Sequence, residues 1–473
     1  MDSRQRNRLL GVLFFGVLMA ALDIAIVGPA LKPIGNYFGV DARALQWVFT
    51  LYVLMNLVGT PLMAKLSDLL GRRSIYLLDV GLFALGSLAA GLAPSFGVLL
   101  LGRALQGFGA GGIFPVASAV IGDTFPVEKR GGALGMIGAV WGLAFILGPL
   151  VGMWLLAFGW EWIFFFNVPV ALLVALAALK VMPTTRREGP VRFDWAGMTL
   201  LGILLSSLAF GVSQIDSASL AVSLLSPLVL PFLALAVVLL PLFWRVEQLA
   251  ADPVVRPDLL RRRQLVVTDV LSLGTGLGEA SLVFIPSLAV MLLGMSPQAS
   301  SSMLLPVVLT MAVGTPLVGR LLDKVGSRLV IVAGGVLLAA GMLMMGAIGP
   351  HMTSLIGAGI LIGAGLSSLL GAPMRYIVLN ESGSQDRGAA QAVLTVFASV
   401  GQLLGGALVG AIVASQGGGA EGYTTAYGAI GLLALAIALG GLFLKGRSEE
   451  MATAKRESSG CRAIERERPY GKW

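Results

Sequence analysis

Long apolar stretches follow one another along almost the whole chain, separated by short clusters of charged residues, glycine and proline. A helix that crosses a bilayer needs ~20 predominantly apolar residues. Runs bounded in this way predict fourteen such helices, at residues 8–31, 43–65, 75–94, 96–122, 132–156, 160–182, 195–214, 224–246, 264–293, 297–319, 329–349, 352–379, 389–414 and 422–444. The first run follows a basic start, as a signal peptide would, but it continues to about Leu31 and no small-residue cleavage pattern ends it. It is therefore expected to be the first anchor. The predicted fold class is an all-α polytopic membrane protein.

One stretch occurs twice. VGTPLMAKLSDLLGRR at residues 58–73 returns as VGTPLVGRLLDKVGSR at residues 313–328, an offset of 255. Compositional bias could repeat Leu and Gly, but the copies also align Asp68 with Asp323, Gly71 with Gly326 and Arg73 with Arg328. This is the mark of a duplication. Both copies lie between helices on the same side of the membrane, so an even number of helices separates them. The offset fits eight helix-and-loop units of about 32 residues better than six of about 42. The expected plan is a six-helix half at 1–194, a two-helix insert with linker at 195–263, a parallel six-helix half at 264–445 and a disordered tail at 446–473. Parallel halves around a midplane site are an architecture of secondary transporters.

Composition agrees: 56% of the 473 residues are hydrophobic and 12% charged, with a mean hydropathy of +0.88, which belongs in a bilayer. All but four of the 33 Lys and Arg residues fall on one side of the predicted helices. The positive-inside bias makes that side cytoplasmic, with both termini there and the chain in the cell membrane. Basic residues that punctuate helix ends, as Arg261, Arg262 and Arg263 do, argue against a nucleic-acid surface despite the net charge of +8. Cys461 is the one cysteine and His351 the one histidine, so neither a disulfide nor a histidine metal centre is expected. No catalytic constellation, metal site or cofactor motif appears. The only Gly-Lys pair is Gly471-Lys472, so a phosphate loop for ATP is missing. Gly107, Gly109 and Gly112 match G-x-G-x-x-G inside an apolar run, where close helix packing is the expected reason. The reading is of a transporter and not an enzyme.

Several stretches resemble the major facilitator superfamily, and within it the fourteen-helix drug/proton antiporter branch (EmrB/QacA-like). Ala64 to Arg73 is similar to the G-x-L-A-D-R-x-G-R-R signature between helices 2 and 3, with Ala64 and Leu69 as departures. RALQGFGAGG from Arg103 resembles the helix-4 R-x-x-Q-G motif. LGPLVGMW from Leu147, holding Gly148, Pro149 and Gly152, resembles the antiporter motif, with Met153 for its last Gly. LDIAIVGPAL from Leu22 and WEWIFFFNVP from Trp160 resemble motifs of helices 1 and 6, with Ala25, Gly28 and Glu161 as departures. The resemblance implies a cytoplasmic gate built from Asp68, Gly71, Arg72, Arg73 and Asp123, mirrored by Asp323, Gly326 and Arg328. It implies a flexible, leak-restricting hinge at Gly148, Pro149 and Gly152, where packing alone would predict a kinked helix.

An ionisable side chain inside a span costs at least ~2.5 kcal/mol at the centre and is a functional hypothesis by default. Asp23 and Arg103 fall at similar depth in the outer part of the membrane, and the resemblance makes their helices neighbours. Asp23 is expected to carry protons with Arg103 as partner; a static ion pair is the alternative. Glu279, at almost the repeat position of Asp23 and without an arginine counterpart, is expected to face a substrate cavity with Gln106, Trp141 and Asn167. Asp79, Asp269 and Arg375 lie near helix ends, where solvation or snorkelling is expected to accommodate them. The leading reading is proton-coupled export of amphipathic compounds, cationic ones included, by a monomer whose partners are a small-molecule substrate, protons and the lipid bilayer. Export of lipid or lipid-linked cargo, and a non-transporting receptor or scaffold, stand as alternatives.

Overall fold

The computed structural model describes residues 2–40, 42–184, 194–215, 219–251, 253–255, 257–347, 351–383, 386–417 and 419–453. The described residues contain no strand and fourteen helices long and apolar enough to cross a membrane. We number these spans in chain order. Span 1 is Ser3–Phe38, span 2 Ala42–Leu70, span 3 Arg72–Gly91 and span 4 Phe96–Thr124. Span 5 joins Val127–Gly138 to Val140–Leu156, and span 6 is Trp162–Val181. Spans 7 and 8 are Trp195–Ser213 and Leu230–Leu249. Spans 9 to 14 are Arg263–Leu293, Ser302–Val325, Ser327–Ala347, Met352–Glu381, Arg387–Ser415 and Ala420–Gly441. Membership of the spans matches the hydropathy reading, while several ends move by a few residues because helices continue past their apolar run into the interface.

The buried apolar side chains form one large cluster mainly from spans 1–6 that also takes in Leu322, Val330 and Tyr376 of spans 10–12, a second from spans 9–14, and a smaller third built mainly on spans 7 and 8. The third cluster includes Leu57 of span 2, and Val396 and Leu403 of span 13 pack against it. The two extra helices thus lie along the seam between the halves. An even number of spans puts both chain ends on one face, called here the terminal face.

Backbone groups at membrane depth need partners, since no water is there to supply them. Pro115 inside span 4 cannot donate to the carbonyl of Gly111. The Thr60 hydroxyl of span 2 donates to that oxygen instead, at 3.1 Å, while also donating to Asn56 O at 2.8 Å. The same interface is close: a Cβ on Gly107 or Gly111 would run into the carbonyls of Tyr52 and Asn56. The glycines that resemble a nucleotide loop are therefore contacts between helices. Span 9 passes through a 3-10 turn at Ser281–Phe284 before Pro286, and span 12 breaks at Gly371 before Pro373. Neither break shows in hydropathy, because the residues around it are apolar on both sides.

Two features near the terminal face differ from expectation. The repeated motif is almost wholly helical, and the turn between spans 2 and 3 is Gly71 alone, at φ 99°; Gly326 does the same between spans 10 and 11 at φ 85°. Only glycine adopts such angles cheaply. Secondly, the stretch from Gly446, expected to be disordered, is helical over residues 447–453. It is held where Ser327 N donates to Glu450 Oε2 at 3.0 Å and the Ser327 hydroxyl donates to Oε1. Cys461 and Arg186 and Arg187 lie outside the described residues.

Candidate functional site

Five spans of the first half converge on one carboxylate. Asp23 of span 1 is 1% exposed and Arg103 of span 4 is fully buried. Arg103 Nη1 lies 2.6 Å from Asp23 Oδ2. The other carboxylate oxygen accepts from Asn167 Nδ2 of span 6 at 2.7 Å and from Gln106 Nε2 at 3.1 Å. Gln106 also accepts from Arg103 Nη1 at 2.8 Å and donates to Ser87 of span 3 at 2.6 Å. Span 2 completes the shell: Arg103 Nε donates to Val48 O at 3.0 Å, and the guanidinium lies over the Tyr52 ring, 4.2 Å from its centroid. A pair so enclosed is costly to form but costlier to break from one side, by about 3–5 kcal/mol, because the remaining charge has no solvent. Gln106 and Asn167, expected on a cavity wall, are buried at 0% and 1% and serve as ligands of Asp23.

A second cluster joins the halves at the terminal face. Asp68, at the end of span 2, accepts from Gly388 N at 3.0 Å and Ala389 N at 2.8 Å, the free donors that open span 13, and from Arg72 Nη1. Arg72 Nε reaches Asp123 Oδ2 at 3.1 Å, and Arg387 Nη1 reaches Asp123 Oδ1 at 2.6 Å. Arg130 Nη1 donates to Asn380 Oδ1 at 2.8 Å across the same seam. The duplicated aspartate repeats the grip in reverse. Asp323 of the second half accepts from Gly131 N at 3.0 Å and Gly132 N at 2.9 Å of the first. Each copy of the motif therefore holds the opposite half. At the position matching Arg72 stands Ser327, bound to Glu450, so the second grip has no buried guanidinium. Arg73 and Arg328 make no side-chain contact in either cluster.

Other expected residues separate by environment. Glu279 is partly exposed within the second half and forms no hydrogen bond or ion pair among the described residues. Trp141 is half-buried and meets Phe114 edge-on at 6.3 Å. Asp79, Asp269 and Arg375 do not snorkel. They are 0%, 4% and 8% exposed, because helical position turns each toward the protein and not toward the interface. Neither oxygen of Asp79 has a partner among the described residues; it fills the space left by Gly112.

Fourteen helical spans in two gripped halves are a transporter's architecture, and the comparisons agree. The model of the major facilitator superfamily matches residues 13–255 and 268–469. The chain belongs to this superfamily. It is 32% identical to the MFS-type transporter YfiU of Bacillus subtilis (strain 168) over 85% of this chain and 79% of that one. To the multidrug transporter protein MdtP of the same organism it is 28% identical, over 88% and 76%. To the puromycin resistance protein pur8 of Streptomyces alboniger it is 32% identical, over 93% and 91%. In structure it resembles the human organic anion transporter MFSD10, with a TM-score of 0.67 at 19% identity over 92% of this chain and all of that one. It is a multi-pass membrane transporter with multidrug-resistance relatives, and not an enzyme.

Within this superfamily fold, the Gly148–Gly152 motif packs on the helix that carries the buried acid. A Cβ on Gly148 would overlap the Ala25 side chain, and one on Gly152 would lie 3.3 Å from Ile26 O. The motif thus fits against the turn of span 1 that follows Asp23. Sequence reasoning missed Arg387, Gly388, Arg130 and Asn380. The mirrored position offered a signal, since an aspartate repeated in both halves needs a partner in each.

Proposed function

We propose that the protein is a proton-coupled antiporter of the cell membrane, with both termini cytoplasmic, that exports amphipathic drug-like compounds as a monomer by alternating access. The observation that carries this reading is the enclosed Asp23–Arg103 pair, an ion pair away from the gate and fully withdrawn from solvent. A proton on Asp23 would remove the charge that Arg103, Gln106 and Asn167 are arranged around, and leave Arg103 with Val48 O, Gln106 Oε1 and the Tyr52 ring. That change is large in a low-dielectric site. It would be felt at Ala25 and Ile26, where span 1 meets Gly148 and Gly152. The gate at Asp68 and Asp323 then exchanges its cross-half bonds for water as the terminal face opens. Glu279 serves either as a counter-charge for a cationic cargo or as a second protonation site.

The deciding experiment is transport by reconstituted vesicles under an imposed pH gradient. Wild-type protein should expel an amphipathic cargo only when the gradient is present, and Asp23→Asn should remove gradient-driven transport while the purified protein keeps its monodisperse profile. Full efflux by Asp23→Asn would sink the assignment. A second reading, export of lipid-linked cargo, is favoured by an apolar cavity of about 560 Å³ between span 2 and the insert, lined by Trp47, Met55, Val58, Met198, Phe210 and Phe232. Labelled lipids in the same vesicles separate the two.

A further inference from the structure

Arg375 is a cation that neither the proton site nor the gate uses. It lies in span 12 six residues before Glu381, about 9 Å along the helix from that end at 1.5 Å per residue. It is 8% exposed. Among the described residues its partners are all neutral: Nη1 donates to Gln391 Oε1 at 3.1 Å, Nη2 to Thr395 Oγ1 at 3.4 Å, and Nε has no acceptor. The acids of the gate and of the end of span 12 are committed elsewhere, Asp123 to Arg72 and Arg387, Asp323 to two backbone N–H groups, Glu381 to Lys445. A guanidinium cannot shed its charge as a buried lysine can.

What stands opposite the charge is aromatic and belongs to the other half. Arg375 Cζ is 3.9 Å from the centroid of Phe114 of span 4, which in turn meets Trp141 of span 5. Phe114 and Trp141 of the first half and Thr395 of the second are each partly exposed. Gln391 fixes the guanidinium from behind, since its Nε2 donates to Arg375 O at 2.9 Å while its Oε1 accepts from Nη1. The fork is thereby oriented before any ligand arrives, which is the geometry that suits a carboxylate or another oxyanion that offers two oxygens.

We propose that Arg375 is the docking point for an acidic group on the cargo, with the cargo's aromatic part seated on Phe114 and Trp141. The substrate class is then an aromatic amphiphile bearing a carboxylate, phosphonate or sulfonate, as an anion or as a zwitterion. The inference rests on the export reading for its purpose, but binding can be measured apart from transport.

Three probes on one ring system make the test: 2-naphthoate, methyl 2-naphthoate and 2-naphthylmethylammonium, titrated calorimetrically into the full-length detergent-purified protein at neutral pH. Wild-type protein should bind naphthoate at least tenfold more tightly than the ester. Arg375→Gln should lose that tenfold preference and leave ester affinity within twofold. Arg375→Lys, which keeps the charge and loses the fork, should fall between them and stands in if the glutamine variant does not fold. Equal affinities of wild type for naphthoate and ester, or an equal loss for all three probes in either variant, would overturn the proposal, the latter because a merely structural arginine acts on every ligand alike. Preferential binding of naphthoate without gradient-driven transport of any probe would count against the export reading and leave the anion site standing.

Discussion

Removing Asp68 should open the terminal face, and the structure sets how far. In the closed form its carboxylate takes two backbone N–H bonds from span 13 and one charged bond from Arg72, which is itself 4% exposed. In the open form water replaces the backbone donors, so each bond counts at its net value. Each backbone donor counts ~1 kcal/mol, and the Arg72 bond, which lies within the first half, counts only because its loss leaves a buried guanidinium short of a partner in the closed form, ~1 kcal/mol more, so Asp68→Ala should weaken closure by about 3 kcal/mol. That is roughly a hundredfold shift in the closed-to-open ratio. Asp323 makes the matching pair of backbone bonds with no guanidinium. Asp323→Ala should therefore cost about 2 kcal/mol and shift the ratio a few tens of times at most. Thr395, partly exposed on the seam, is a reporter position: in a Cys461→Ser background, Thr395→Cys should react with a membrane-impermeant maleimide from the terminal face at a rate that follows the open population. The expected order is Asp68→Ala fastest, then Asp323→Ala, then the unmodified gate. An unchanged rate in folded Asp68→Ala, or a larger effect from Asp323→Ala, would refute the division of labour between the two copies.

Three further outcomes follow from the packing and the tail. Gly148→Val should push span 1 away from the antiporter motif and lower stability by about 1–3 kcal/mol, read as a lower melting temperature with loss of transport; Gly28→Ala, with nothing within 4 Å of its added carbon, should not lower it. Thr60→Val should leave Gly111 O without its donor and destabilise by about 1–3 kcal/mol, measured the same way. Glu450 lies outside the spans, and its burial raises its pKa above the ordinary carboxylate value even though Ser327 donates to it. The folded form thus binds the proton more readily than the free chain, so docking of residues 447–453 should be strongest below the unfolded pKa and weaken as pH rises through the folded one. Amide exchange in that helix should quicken over that rise, and Glu450→Gln should flatten the dependence.

Hydropathy revealed which segments cross the membrane because burial in lipid is a property of composition, summed over ~20 residues. It was silent on the breaks at Ser281–Phe284 and Gly371, which depend on where a proline withholds one donor. The pairing of Asp23 with Arg103 was legible from depth, since two ionisable groups at one level in neighbouring helices have few other partners. Their remaining shell was not. Gln106 and Asn167 looked like cavity residues because polarity within a span does not say which way a side chain points. The same limit explains Asp79, Asp269 and Arg375: distance along a helix was correct for all three, but azimuth decides whether a charge meets water or protein.

The repeat carries the last step. Duplication alone would make the halves equivalent, with two acids, two arginines and two gates. The gates stay nearly equivalent, each aspartate bound to backbone donors of the other half. The membrane-embedded charges have diverged completely. The first half holds an acid and a base locked together, whereas the second holds Glu279 and Arg375 apart, with neither in an ion pair among the described residues. A closed pair suits a group that only a proton can disturb, and unpaired charges suit groups that wait for a ligand. On the proposed reading, motion of two halves can then couple two chemically different events, because the duplication kept the gate and released the chemistry on each side to differ.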